Sequence, residues 1–144
     1  MTKNVTMSRA ERCFNPGQLR KTVKLLNGEV RPSIDPELKQ FVDMDYGFRA
    51  MWSTLKTYYY RYRLTTIGQI VPQWGTATIH KDLKAYTAFV VDTTGIAEHQ
   101  QLKFTCEEMG KVVLAIAHYE SGYSKEEWEA SCRQAFNMLF KKHR

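Results

Sequence analysis

Val112-Val113-Leu114-Ala115-Ile116-Ala117-His118-Tyr119-Glu120-Ser121-Gly122 decides the fold, because its first six residues form the most apolar run in the chain. A helix that is apolar around its whole circumference belongs at the centre of a core, packed on several sides. Thr105, with Glu108 three residues later, is a capping signal for its start. Gly122 is a natural stop. Met109, Val113, Ile116 and Glu120 follow at steps of four, three and four, so Glu120 projects from the same face as the core stripe. Glu120 is therefore expected at the lip of the core, where the helix ends. Burial against apolar groups penalises the charged form of a carboxyl. An acid that keeps its proton is what general acid catalysis requires, and glycoside cleavage needs one beside the leaving oxygen. Tyr119, Ser121 and Tyr123 would shape the surroundings.

Outward from this helix the pattern stays helical. Phe48, Met51, Trp52, Leu55, Tyr59 and Tyr62 form one apolar stripe from Asp45 onward. Thr66 and Gln69 cap a short helix expected to end near Pro72 to Trp74. A further helix runs from Lys81 to about Asp92 and stops before Gly95. Ser124 and Glu127 cap a last one ending in Lys141, Lys142 and His143, where cations suit the helix dipole. Residues 13–44 carry most of the Pro and Gly. Asn27-Gly28 predicts a tight hairpin turn between Val23–Leu26 and Glu29–Val30. The expected fold class is α+β and mostly helical: one domain over residues 13–144, with about five helices and a small hairpin near the N-terminus. Residues 1–12 are expected as a flexible lead-in.

Composition bounds the function. The chain has 144 residues, 43% of them apolar, enough for one core. No apolar run reaches the about 18 residues that a membrane span needs, and Met1–Arg12 lacks the apolar run of a secretory signal. Synthesis in a cytoplasm, with action in a virion or at a bacterial cell wall, is the expected location. The net charge of +6 and pI of about 9.3 favour anionic partners. The cations are dispersed, with small clusters at Arg61–Arg63 and Lys141–Arg144, so nucleic acid is not the expected partner. Cys13, Cys106 and Cys132 lack disulfide or zinc spacing. His80, His99, His118 and His143 show no metal-ligand spacing. There is no HExxH, GxSxG or phosphate-binding glycine loop. No metal or cofactor is expected.

The run VVLAIAHYESG resembles the active-site helix of lysozyme-like lytic transglycosylases and muramidases, in which a hydrophobic helix ends in Glu-Ser-Gly and the Glu is the catalytic acid. The span from Cys13 to about Gly122 also resembles a phage and prophage family usually labelled a structural protein, whose hallmark is Asn-Pro-Gly-Asn-Ile-Arg. Asn15-Pro16-Gly17-Gln18-Leu19-Arg20 stands in that place, followed by Gly28-Glu29, Phe41, Gly47-Phe48-Arg49-Ala50, Leu55–Tyr58, Thr66-Ile67, Trp74, Tyr86 and Glu120-Ser121-Gly122. The resemblance implies a lysozyme-like fold in circularly permuted order, since the segments that follow the catalytic helix in glucosaminidases come first here. A permuted fold requires Asn15–Arg20 and Gly28–Glu29 to lie near Glu120. Two departures stand out. Gly75–Asp82 lacks the family's Glu-Asn segment, and Cys13-Phe14 replaces its amides.

These readings single out Glu120 and Glu29 as catalytic carboxylates, and Asn15, Arg20, Ser121, Tyr123, Trp74 and Tyr86 as substrate-binding residues. The implied activity is a peptidoglycan-cleaving glycosidase: a muramidase, lytic transglycosylase or glucosaminidase. Its partners would be bacterial peptidoglycan and other virion proteins. Two other readings stand beside it. One is a non-catalytic virion or wall-binding protein that kept the fold. The other is a basic nucleic-acid-binding module using the aromatic and cationic run Tyr58–Arg63.

Overall fold

The computed structural model describes residues 7–140. Among them the order is α1 (Arg9–Arg12), β1 (Glu29–Val30), β2 (Gln40–Phe41), α2 (Met44–Lys56), a π-helical turn (Thr57–Arg61), α3 (Ile67–Ala77), α4 (Leu83–Thr94), α5 (Glu108–Ser121) and α6 (Glu127–Phe140). The protein is α+β and mostly helical, with a two-stranded antiparallel sheet near the N-terminus, as its patterning predicts.

The helix boundaries follow from caps. Asp43, Thr66 and Asp82 each accept a backbone N–H at the start of α2, α3 and α4. Thr105 accepts the Glu108 N–H at 3.1 Å, while the Glu108 carboxylate accepts the Lys103 N–H at 2.8 Å. Gly95 and Gly122 end α4 and α5 in the left-handed conformation that glycine tolerates. α5 is the central helix, with Met109, Val112, Val113 and Ile116 all wholly buried. α2 lies along α6, α3 along α4, and α4 along α5. Trp52 joins the layers: its ring meets Phe136 and Phe104 edge-on, and its indole N–H donates to the Cys132 carbonyl at 3.0 Å.

Five local expectations are corrected. Residues 1–6 of the lead-in lie outside the described residues, but Arg9–Arg12 is a helical turn with Ala10 buried. The hairpin does not pair Val23–Leu26 with Glu29–Val30. Asn27-Gly28 makes the expected turn, with Gly28 at φ +76°, but β1 pairs with β2, in the register Glu29 to Phe41 and Val30 to Gln40. α3 runs through Pro72 to Ala77. An internal proline costs a helix about 3 kcal/mol. Ile70, Val71 and Trp74 are all at most 1% exposed, and burial worth roughly 1.5–3 kcal/mol per large side chain offsets that cost. The Tyr62 N–H reaches five residues back to the Thr57 carbonyl, and this wider turn moves the stripe. Tyr58 is buried, edge-on to Trp74, whereas Tyr62 is 57% exposed. α5 begins at Glu108, so Cys106, directly after the Thr105 cap, lies in a turn ahead of the helix rather than in it. The ends expected at Lys141–His143, and the Lys141–Arg144 cluster, lie outside the described residues.

Candidate functional site

Glu120 occupies the last turn of α5, and its side chain has no exposed surface. The expected place at the lip of the core is corrected: the carboxylate lies beneath it. Burial on this scale requires the lone pairs to be met, and four side chains meet them. Oε1 faces Gln18 Nε2 at 2.9 Å and His80 Nε2 at 3.0 Å. Oε2 accepts the Tyr86 hydroxyl at 2.6 Å and faces the Thr78 hydroxyl at 2.8 Å. Thr78 has one hydroxyl proton and also lies 2.9 Å from the Trp74 carbonyl, so that proton serves one of the two oxygens at a time. Gln18 Nε2 also donates to the Glu120 carbonyl at 2.9 Å. Among the described residues no Lys or Arg pairs with Glu120; the one ionisable base beside it is His80.

The four partners come from three segments, each held for a local reason. Gln18 has φ +52°, a left-handed conformation that favours Asn or Gly. Asn15 fixes the turn: it is wholly buried, its amide donates to the Leu19 and Lys39 carbonyls at 2.9 and 2.8 Å, and its carbonyl accepts the Leu19 N–H. Thr78 and His80 sit in the loop leaving α3, where the His80 N–H bonds the Gly75 carbonyl at 2.8 Å. Tyr86 comes from α4. Gly75 allows α4 this close, because a Cβ there would lie 2.7 Å from Leu83 and 3.2 Å from the Tyr86 ring. Burial, then the charge of Glu120 and the bond to it, push the Tyr86 hydroxyl well above the usual tyrosine range, so it remains a donor.

An aromatic shelf covers the pair. Tyr119 stacks on Tyr86 with centroids 3.8 Å apart, and the His80 ring stands edge-on to both, at 5.1 and 5.4 Å. The His80 side chain is 28% exposed, so it reaches solvent beside an enclosed carboxylate, as the half-buried Gln18 and Tyr119 do in part.

The other expected site residues do different work. Glu29 has its carboxylate 3.0 Å from both Arg31 and Lys39, and it accepts the Leu26 N–H. Burial pushes its carboxyl up, but these partners outweigh that and hold it below the usual range. These bonds clamp Glu29 into the hairpin. Asn15 has its side-chain amide and carbonyl engaged inside the chain. Arg20 pairs with Glu37 at 3.1 Å. The Ser121 hydroxyl lies 2.7 Å from the Ala117 and Tyr123 carbonyls and secures the end of α5. The Tyr123 hydroxyl accepts the Ser8 N–H and donates to Glu11, tying α1 to that end. Trp74 is 1% exposed and donates to the Gly17 carbonyl at 3.1 Å. A cleft of about 430 Å³ lies next to the site along α5, lined by Lys111, Leu114, His118, Lys125 and Trp128, and does not include Glu120. Among the described residues no cluster of three His, Cys, Asp or Glu side chains is placed to hold a metal, and no helix is long and apolar enough to cross a membrane.

Glu120 and Tyr86, both expected from the sequence, thus meet Gln18, Thr78 and His80, which were not expected there. Gln18 was inside the quoted motif. Thr78 and His80 lie in the very segment, Gly75–Asp82, that departs from the family pattern.

No protein-family model matches the chain. It is similar to Protein P5 of Pseudoalteromonas phage PM2, with 32% identity over 95 residues, covering 66% of this chain and 58% of the phage protein. The chain therefore spans less than two thirds of that relative's length. The likeness is to a phage protein.

Proposed function

We propose that the chain is a phage-type glycosidase acting on bacterial peptidoglycan, with its acid–base chemistry centred on Glu120, on a circularly permuted lysozyme-like domain over residues 13–144. The observation that carries this reading is the convergence of Gln18, Thr78, His80 and Tyr86 on one carboxylate at the end of the central helix. A core needs no such group, since an apolar residue would fill the place without four polar partners. Strongly organised ionisable groups of this kind mark functional sites. The Gln18–Glu120 bond supports the permutation, because it joins the early loop to the late helix. Glu29 gives no such support, since its partners are Leu26, Arg31 and Lys39. The basic surface would hold the domain on anionic wall, and the likeness to a phage protein fits action from a virion or during lysis, beside other virion proteins.

A second reading is a non-catalytic virion or wall-binding protein. The zero exposure of the Glu120 side chain favours it, for the same network would then serve as a polar keystone. Release of muropeptides from purified sacculi separates the two. The glycosidase reading expects release by the wild type and its loss in Glu120→Gln. Equal release by both, or binding to sacculi with no release by the wild type, leaves the non-catalytic protein.

A further inference from the structure

We infer that Glu120 does not meet substrate itself, and that His80 is the reacting group: Glu120 and His80 form a carboxylate–imidazole dyad whose solvent-facing member is the imidazole. The inference builds on the glycosidase reading, and names the residue of that site which touches the sugar.

Access decides the assignment. A general acid must lie within hydrogen-bond reach of the atom it protonates. The Glu120 side chain is 0% exposed and its two oxygens are already faced by four partners, while the His80 side chain is 28% exposed. Nε2 of His80 is committed to Oε1 at 3.0 Å, and among the described residues Nδ1 makes no hydrogen bond. A carboxylate on one ring nitrogen fixes the tautomer and leaves the other nitrogen to accept or give a proton. Tyr86 and Tyr119 hold the ring edge-on, so its orientation is set from three sides.

The backbone is bent to make this arrangement. Ile79, between the two loop residues that reach Glu120, has φ +59° and is 64% exposed. A β-branched residue in the left-handed region is strained. Ile79, mostly exposed, wins little burial in return. What the bend achieves is to turn both Thr78 and His80 toward the same carboxylate. Strain of this kind gathers where a site is held in a working geometry.

In the step that follows, Nδ1–H of the imidazolium gives its proton to the glycosidic oxygen. The bonding pair of the broken C–O bond leaves with that oxygen. Water captures the sugar cation and returns a proton to Nδ1. Nε2–H remains on ionised Glu120 throughout, and the carboxylate offsets the charge on the ring.

Two measurements test the dyad. The first is acylation by diethyl pyrocarbonate, followed at each histidine by mass spectrometry, with the 85% exposed His99 as an internal reference. The reagent attacks a ring nitrogen that lacks a proton, and the dyad keeps Nδ1 protonated, so His80 in the folded wild type is expected to acylate several-fold more slowly than in Glu120→Gln, with His99 unchanged. An equal or faster rate in the wild type overturns the dyad, whatever the activity. The second is muropeptide release by His80→Gln, whose amide nitrogen can replace Nε2 on Glu120 but has no transferable proton. A loss of about 100-fold or more is expected. Release at the wild-type level by His80→Gln overturns the assignment and makes Glu120 the direct acid. Slower acylation than in Glu120→Gln, in a wild type that releases nothing, upholds the dyad and removes the glycosidase reading alone.

Discussion

The Tyr86 hydroxyl donates to Oε2 of Glu120 across 2.6 Å, between two side chains that are both wholly enclosed. A hydrogen bond to a charged group contributes about 1.5–3 kcal/mol, and a buried acceptor left unmet costs as much again. Tyr86→Phe keeps the ring and its stacking on Tyr119 while removing the donor. It is expected to lower stability by about 2 kcal/mol, read as a shift in the urea midpoint. In Glu120→Gln the same change should cost less, so a double-mutant cycle gives a positive coupling. Additive losses would mean that the two groups do not sense one another.

Gly47 and Gly95 separate steric need from conformational need. A Cβ at Gly47 would sit 2.1 Å from the Phe14 carbonyl oxygen and 2.6 Å from Pro16, at the seam between α2 and the loop that carries Gln18. The main obstacle is backbone and cannot swing away. Gly47→Ala should cost several kcal/mol, on the scale of overpacking a core, and should disturb the Glu120 site with it. Gly95 has φ +73° and nothing within 4 Å of a Cβ. Gly95→Ala should cost only the left-handed penalty, about 1–2 kcal/mol. Equal losses in thermal or chemical unfolding would refute the close packing at Gly47.

These positions show which parts of the molecule were legible in sequence. The helices were, because caps and apolar spacing are local signals: Thr66 with Gln69, Thr105 with Glu108, Gly95 and Gly122 all lie within a turn of what they terminate. Glu120 was legible from its place on the stripe. Its partners were not, because Gln18 and Thr78 lie 102 and 42 residues away in sequence and meet Glu120 only through tertiary packing. The hairpin turn was legible and its pairing was not, since Asn27-Gly28 specifies a bend but not which strand returns. The fate of Tyr62 turned on a π-helical turn, and no spacing rule signals one.

Ile79 gives a test in the opposite direction. Its left-handed φ costs more than its mostly exposed side chain returns. Ile79→Asn places a residue that accepts this conformation, and stability should rise by up to about 1 kcal/mol in urea unfolding. Unchanged positions of Thr78 and His80, seen as unaltered acylation of His80, should accompany the gain. A loss of stability would mean that Ile79 packs against something that repays its strain.

Acid should unfold the N-terminal segment first, because four of its carboxylates, Glu11, Glu29, Asp35 and the exposed Glu37 on Arg9, are held below their usual range. Asp35 is lowered chiefly by its two bonds to Arg9, at 2.6 and 2.8 Å, against burial and with help from the N–H groups of Glu37 and Leu38. For Glu29 and Glu11 burial is the largest influence and acts upward. Arg31, the Leu26 N–H and Lys39 outweigh it at Glu29, and Lys125 and Tyr123 do so at Glu11. A carboxyl whose folded value is lowered binds its proton less readily than in the unfolded chain. Its stabilisation is fully present above the unfolded value, near 4, and disappears as pH falls through the lower folded values. Urea midpoints should therefore decline steadily from about pH 5 to about pH 2. Asp35→Asn should begin lower at neutral pH, since it strips a buried partner from Arg9, and should then fall less steeply. An acid limb as steep in Asp35→Asn as in the wild type would show that the Arg9–Asp35 pair does not set it.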